Sequence, residues 1–278
     1  MRKKNPDWIL KRYQDRYAEG VGELAAYVPW LDVGDVPSRG VSTRFKGRKT
    51  DRMHTALSNM EHGAILAAQW LDGVTDIREQ FPLWPLDKTL AIAEDLGVRH
   101  PSDKGMPILM TTDMLLTTVT GSATASEPIT VKPETELGND RVLEKFEIER
   151  MYWEARGAKL GIVTERDLPK DLVSNLLWLD EFHEISRETL SAAAVGRAEA
   201  HLFGFLQENP NTALNELCAH ADDRLGHRDG TCLGVVRHAI SRKRWAVSLD
   251  VRIDPGRPLP RLERREVPFG KGRGGSCP

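Results

Sequence analysis

Cysteine is scarce in this chain. The three present, Cys218, Cys232 and Cys277, are too few and too unevenly placed to staple a fold, which excludes a disulfide-built secreted domain. Long apolar runs are missing as well, and none approaches the roughly 20 residues that a membrane-spanning helix needs. The opening residues Met1-Arg2-Lys3-Lys4-Asn5-Pro6-Asp7 lead into no apolar segment of the secretory type. A reducing cytoplasm and no membrane partner are therefore expected. No internal repeat is visible. An excess of one charge is lacking too, since the formal net charge is only −2.

That near-balance hides local asymmetry. Arg39, Arg44, Lys46, Arg48, Lys49 and Arg52 crowd a stretch in which Asp51 is the only acid. A second cluster holds Arg237, Arg242, Lys243 and Arg244, and the last residues add Arg257, Arg261, Arg264, Arg265, Lys271 and Arg273. Patches of this kind suit a polyanion, and they also suit a plain solvated surface. Arg44, Lys46, Arg48 and Lys49, with Arg237, Arg242, Lys243 and Arg244, are the candidate DNA contacts.

A length of 278 residues allows one full core and a second, smaller one. The pattern divides into an arm with loops over 1–54, an α/β unit over 55–166, a helical domain over 167–250 and a basic, flexible tail over 251–278. The arm has a helix from Trp8 to Tyr17 and loops around Pro29, Pro37 and Gly40. In the α/β unit, Leu57, Met60, Ala64, Ala68 and Leu71 recur at helical steps over Thr55 to Leu71. An alternating strand follows from Val74 to Leu83, broken by Pro82 and Pro85, and then a short helix or turn from Leu90 to Leu96. Two short strands, Thr112–Thr117 and Ile129–Lys132, are joined by the small, polar residues Gly121 to Pro128, which read as an exposed loop. A helix over Arg141–Arg156 carries Leu143, Phe146, Arg150 and Trp153 along one side, and Lys159–Thr164 reads as a compact buried strand. Beyond it, helices are expected from Asp167-Leu168-Pro169 through Leu179, over Glu188–Leu206, Thr212–Ala221 and Leu233–Arg242. An alternating strand, Trp245–Leu249, ends the series in the manner of a winged-helix module.

The strand pair carries charge where a plain apolar sheet would not. Asp113 heads one strand and Lys132 ends the next, before Pro133. Mg²⁺ prefers hard oxygen ligands, and one or two carboxylates with phosphate oxygens and waters are a common set. Glu61, beside the apolar stripe of its helix, supplies a second carboxylate that is expensive to bury without a partner. With Val131 pointing into the core, its carbonyl is open to a metal and Lys132 projects beside it. An ammonium there steers or deprotonates water, or stabilises charge on a phosphate. Glu149, three residues past Phe146, also leans toward the core, where a structural salt bridge is the plainer role.

Several stretches together resemble the TnsA family, the endonuclease subunit of heteromeric cut-and-paste transposases. They are Tyr27-Val28-Pro29-Trp30-Leu31, Ser58-Asn59-Met60-Glu61, Asp76-Ile77-Arg78-Glu79-Gln80-Phe81-Pro82-Leu83, Thr112-Asp113, Val131-Lys132-Pro133, Leu143-Glu144-Lys145 and Arg150-Met151-Tyr152-Trp153. The resemblance runs from about residue 25 to at least 185, and the run from Asp76 to Leu83 is its most specific part. It implies an α/β, restriction-endonuclease-like core of the PD-(D/E)xK type with a C-terminal helical, winged-helix-type domain. It also implies Glu61 and Asp113 as metal-binding carboxylates, Lys132 as the catalytic lysine and two Mg²⁺ ions, with Mn²⁺ able to substitute and Val131 giving its carbonyl. Thr130 stands where many such sites have Glu or Gln, and Glu149 is the residue placed to compensate.

The same resemblance implies cleavage of the 5′, non-transferred strands of double-stranded DNA at transposon ends. The implied partners are a TnsB-like DDE transposase and a TnsC-like AAA+ regulator, which would dock on the C-terminal region. The setting would be a bacterial cytoplasm, at the nucleoid when active. Two other readings compete: a free-standing restriction- or repair-type nuclease, and a catalytically inactive DNA-binding adaptor. Cys218, His220, His227, Cys232 and His238 fit no usual zinc spacing. Gly270 to Gly275 is not a phosphate loop, because no strand precedes it and no helix follows.

Overall fold

A computed structural model describes residues 20, 22–35, 42–185, 190–260 and 262–264. The expected helix from Trp8 to Tyr17, Arg39, Arg265 and the Gly270–Gly275 stretch lie outside these residues. The chain divides into two compact units, one ending at Pro169 and the other beginning at Lys170. Among the described residues no helix is long and apolar enough to cross a membrane.

The first unit opens with an antiparallel hairpin of β1 (Thr43–Lys46) and β2 (Met53–Ala56). The basic stretch is thus a paired hairpin, and Thr55 belongs to a strand. Helix α1 (Asn59–Trp70) begins four residues later than its periodicity predicted, because extended Ser58 caps it and its hydroxyl accepts the Glu61 N–H. Next come β3 (Val74–Pro82), α2 (Leu86–Asp95) and a small ribbon of β4 (Ser102–Asp103) with β5 (Met106–Pro107). Then follow β6 (Thr111–Thr120), β7 (Ala123–Val131), α3 (Asp140–Glu154) and β8 (Gly161–Val163). The main sheet has the order β3-β6-β7-β8, with β8 parallel to β7 and the other pairs antiparallel.

Three expectations change here. Residues 121–128 are mostly strand: only Gly121, at φ +62°, and Ser122 make the turn. Small polar side chains on both faces mimic a loop, yet Thr118 still bonds Glu127 across the ladder at 2.7 Å. Pro128 is tolerated because β8 begins to pair only at Ile129. Strand β8 lies at the sheet edge and is not buried; its Ile162 is 44% exposed. The buried face of α3 is rotated from the predicted stripe and runs through Phe146, Ile148, Glu149, Tyr152 and Trp153, while Leu143 is exposed. Ile148, Tyr152 and Trp153 pack with Leu83, Ala93, Met110 and Leu115 into a core between α3 and the sheet.

A buried polar knot ties the hairpin to β3. The Arg52 guanidinium grips both Glu79 oxygens and donates to the Ile77 carbonyl, while His54 Nδ1 lies 2.7 Å from Glu79 Oε2. The Thr55 N–H donates to Glu79 Oε1 at 3.0 Å, and the Tyr27 hydroxyl to the Glu79 carbonyl at 2.9 Å. Burial alone would raise the Glu79 pKa, but the hydrogen bonds from Arg52 and His54 outweigh it and hold the carboxyl down at about 2.

The second unit is helical: α4 (Lys170–Asp180), α5 (Ala192–Glu208), α6 (Leu214–Leu225) and α7 (Thr231–Ser241), then β9 (Trp245–Ala246) paired with β10 (Glu263–Arg264). Buried α7 packs against the other three helices, and Val235, Val236, Ala239 and Ile240 are within 1% of full burial. Gly230, at φ +83°, leads into α7, and Asp222 of α6 accepts the Gly230 and Cys232 N–H groups, both at 2.8 Å. Residues 251–257, at the start of the expected tail, are held within the second unit. Buried Asn175 donates to the Leu249 and Val251 carbonyls and accepts the Ile253 N–H, and α6 starts by donating from Leu214 and Asn215 to the Arg257 and Pro255 carbonyls.

Arg52→Ala leaves Glu79 charged and buried, and the expected loss is about 3–5 kcal/mol in urea unfolding. The depressed Glu79 pKa makes its contribution fully present above about pH 4.5 and lost as pH falls toward 2. Glu79→Gln is expected to remove that part of the acid dependence.

Candidate active site

Asp113 and Lys132 meet. Asp113 lies in β6, and its Oδ2 accepts the Val131 N–H at 2.7 Å. Lys132, just past the end of β7, places Nζ 3.4 Å from the same oxygen and 3.1 Å from the Val131 carbonyl. Its own N–H donates to the Val163 carbonyl of β8 at 3.0 Å, which fixes where the side chain starts. The Asp113 charge raises the Lys132 pKa, against burial and with help from Glu61. Lys132 is therefore a cation at neutral pH. Among the described residues nothing donates to Asp113 Oδ1.

Glu61 has a local explanation first. It sits at the third position of α1, where its Oε1 accepts the Ser58 hydroxyl at 2.9 Å and its Oε2 the Leu57 N–H at 3.0 Å. That is a capping arrangement. Capping does not require burial beside another acid, yet Glu61 is 8% exposed. Burial and then the Asp113 charge raise its pKa, despite the Leu57 and Ser58 donors. Glu61, Asp113 and the Val131 carbonyl offer only oxygen donors, and the Asp113 charge opposes ionisation of Glu61. Such a set fits a hard divalent cation.

Thr130 and Glu149 are brought together. The Thr130 hydroxyl lies 3.0 and 3.1 Å from the two Glu149 oxygens, and Thr130 is 1% exposed. Thr112 also bonds Glu149, and the Trp153 indole donates to the Thr112 hydroxyl at 2.7 Å. Burial first, and the Asp113 charge second, push the Glu149 carboxyl up to about 8. Sequence spacing did not reveal that Thr130 is turned to α3. No salt bridge holds Glu149 among the described residues; hydroxyls do.

The basic candidates fare unevenly. Arg44 pairs with Asp32 and Lys46 lies 3.9 Å from Asp51, and both side chains remain more than half exposed. Lys49 is committed to the Leu71 and Val74 carbonyls, and the Arg48 N–H donates to Gln69. Arg237 is not on a surface patch: it is 9% exposed, stacked on Phe182 and bonded to Glu181 and the Trp178 carbonyl, because its position faces the core side of α7. Arg244 grips Glu199 at 2.8 and 2.9 Å, Arg242 lies 2.9 Å from His183 Nε2, and Lys243 takes φ +56° at the end of α7.

Among the described residues no group of three or more His, Cys, Asp and Glu side chains is gathered to hold a metal, so the cysteines and histidines of the second unit form no zinc site. Cys218 and Cys232 are buried free thiols, and burial pushes Cys218 up to about 12. Sequence reasoning missed Gln80, whose Nε2 donates to Glu61 Oε2 at 3.2 Å. Only its place in the run from Asp76 to Leu83 marked it.

Comparison with known proteins defines the class as a two-domain endonuclease. Residues 72–165 match the TnsA-like endonuclease N-terminal family, and residues 167–249 match the TnsA endonuclease C-terminal family. Asp113, Thr130, Val131, Lys132 and Glu149 fall within the first match, and Glu61 precedes it. The chain is also 35% identical, over 231 residues, to the transposon Tn7 transposition protein TnsA of Escherichia coli, covering 82% of this chain and 81% of that protein. The chain belongs to the TnsA family.

The raised Glu149 pKa has a sign that can be checked. The folded state holds a proton that the unfolded chain releases near pH 4.5, so in the absence of divalent ions stability falls as pH rises from about 4.5 to about 8. The slope due to this group reaches at most about 1.4 kcal/mol per pH unit. Glu149→Gln is expected to flatten that limb in denaturant melts across the range.

Proposed function

We propose that the chain is a Mg²⁺-dependent DNA endonuclease that cuts the 5′, non-transferred strands at transposon ends as one subunit of a transposase. The observation that carries this is the contact of Asp113 with Lys132 and the Val131 backbone, with Glu61 close enough that the Asp113 charge raises its pKa and its own charge acts on Lys132. Glu61, Asp113 and the Val131 carbonyl would hold the metal, two ions in the family pattern, with Mn²⁺ as a substitute. A bound ion there supplies Lewis-acid polarisation of the phosphate and a more acidic water.

The chain's own groups do the rest. The Val131 N–H and Lys132 fix Asp113 Oδ2. Ser58, Leu57 and Gln80 fix Glu61. Lys132 keeps an ammonium beside the strand end, where it attracts the phosphodiester and offsets charge that grows on it during cleavage. Because its pKa is raised, it stays protonated and acts as a cation in preference to a base. Thr130, in place of the Glu or Gln of related sites, is bonded to Glu149 and thereby orients the strand end.

On this reading the first unit is a restriction-endonuclease-like core of the PD-(D/E)xK type, supported by Asp113 in β6 meeting Lys132 just past the end of the adjacent β7 in a mixed sheet. The second unit is a winged-helix-type domain, supported by α5, α6 and α7 followed by the β9–β10 ribbon. The exposed Arg44 and Lys46 of the β1–β2 hairpin are the basic residues best placed to meet DNA. The partners are a TnsB-like DDE transposase for the 3′ ends and a TnsC-like AAA+ regulator engaging the C-terminal unit, in a bacterial cytoplasm. Membership of the TnsA family supports these roles.

Transposon-end DNA incubated with Mg²⁺, the DDE partner and the regulator should be cut on the 5′ strands. Lys132→Ala is expected to lower that rate about 100- to 1000-fold with DNA retained in the complex, and Asp113→Ala to abolish it. Robust cutting by the chain alone would favour a free-standing nuclease. Cutting that survives Asp113→Ala would end the assignment.

A further inference from the structure

The polar residues between Asp76 and Leu83 act as clamps. Asp76 Oδ2 accepts the Leu24 N–H at 3.2 Å, Glu79 gathers Arg52, His54 and Thr55, and Gln80 reaches Glu61. The first two of these clamps hold the fold. Gln80 touches the proposed site.

Its setting is unusual in four ways. Gln80 has φ +49°, in the left-handed region that a non-glycine residue keeps only when its surroundings impose it. It is 3% exposed. Its Oε1 accepts the Thr111 hydroxyl at 3.0 Å, which turns the amide nitrogen, and not the carbonyl, toward Glu61 Oε2 at 3.2 Å. The β3–β6 register pairs Glu79 with Met114 and Phe81 with Thr112, and this sets Gln80 across from Asp113. One residue thus stands opposite one acid and bonds the other.

We infer that Gln80 is a positioning residue that orients the Glu61 carboxylate toward the cation shared with Asp113, an inference that rests on both acids being cation ligands. A carboxylate offers about four acceptor positions. Ser58 occupies one on Oε1, and Leu57 and Gln80 occupy two on Oε2. The position left over is on Oε1, so Glu61 presents a single oxygen in a fixed direction. A neutral amide suits this task better than a lysine or arginine would. It restrains the carboxylate without cancelling the charge that attracts a cation and without adding a charge that repels one. The left-handed backbone is what lets a strand residue aim sideways at the start of α1.

The test is Mn²⁺ binding to the full chain without DNA, followed by the electron paramagnetic resonance signal of the free ion. The proteins compared are wild type, Glu61→Ala, Gln80→Gly and Gln80→Asn. Glycine and asparagine both tolerate the left-handed backbone; glycine removes the amide, and asparagine is one methylene too short to reach. The wild type should bind and Glu61→Ala should lose binding. Both Gln80 variants should bind about 10- to 100-fold more weakly, with metal-free unfolding midpoints near wild type. In cleavage, the Mn²⁺ concentration for half-maximal rate should rise more than the saturated rate falls. Wild-type affinity in both Gln80 variants, whether or not their unfolding midpoints drop, overturns the inference while Glu61→Ala upholds the site. No binding by wild type, or unchanged binding in Glu61→Ala, overturns the site and the inference with it.

Discussion

Asp113 accepting the N–H of Val131 is the contact on which the site depends. Pairing between β6 and β7 runs down to Met114 opposite Ile129, and one step further Asp113 would face Thr130. There the carboxylate takes a main-chain N–H of the neighbouring strand, and the two strands part around a charged group. The parting leaves the Val131 carbonyl within reach of Lys132 Nζ, and β8 holds the Lys132 backbone from the other side. A sheet end that would otherwise be closed by regular pairing becomes a place where an acid, a carbonyl and an ammonium converge.

Three buried glutamates in the first unit show how differently the same side chain can be treated. Glu79 is met by a guanidinium and an imidazole, and its pKa falls to about 2, so it is a fixed anion inside a structural knot. Glu149 is met by hydroxyls only, and its pKa rises to about 8, so near neutrality it carries a proton. Glu61 is met by neutral donors and faces Asp113, which leaves it an acid whose ionisation is opposed but whose position is well fixed. Stability alone accounts for the first. The second and third are costly arrangements of the kind that functional sites retain.

Much of the fold was legible because it follows from periodicity and breakers. The strand from Val74 ends at Pro82, and the helix over 140–154 was placed to within a residue or two, because prolines and apolar spacing act locally. The β1–β2 hairpin was not legible, because its residues are basic and polar and its stability comes from Glu79, more than twenty positions away. Residues 123–127 were misread for a related reason: small or polar residues on a two-sided exposed ribbon carry no alternation. Residues 251–257 look like the start of a tail by composition, yet buried Asn175 bonds the Val251 carbonyl and the Ile253 N–H, and the start of α6 donates to the Pro255 and Arg257 carbonyls. Arg237 shows the same limit, since a guanidinium in a basic cluster reads as surface until Glu181 and two aromatic rings are found around it.

The sequence by itself determined the residue types of the site and the family they belong to, because Glu61, Asp113, Val131 and Lys132 sit in short stretches whose character is local. It also determined the split into an α/β part and a helical part, which follows from where strand patterning stops. Only the tertiary structure decided what each group faces. It turned Thr130 toward Glu149, set Gln80 across from Asp113 and against Glu61, and withdrew Lys49 and Arg237 from the basic surface. The reason is physical: side-chain direction, burial and pKa depend on neighbours that are distant in sequence, and no local pattern records them.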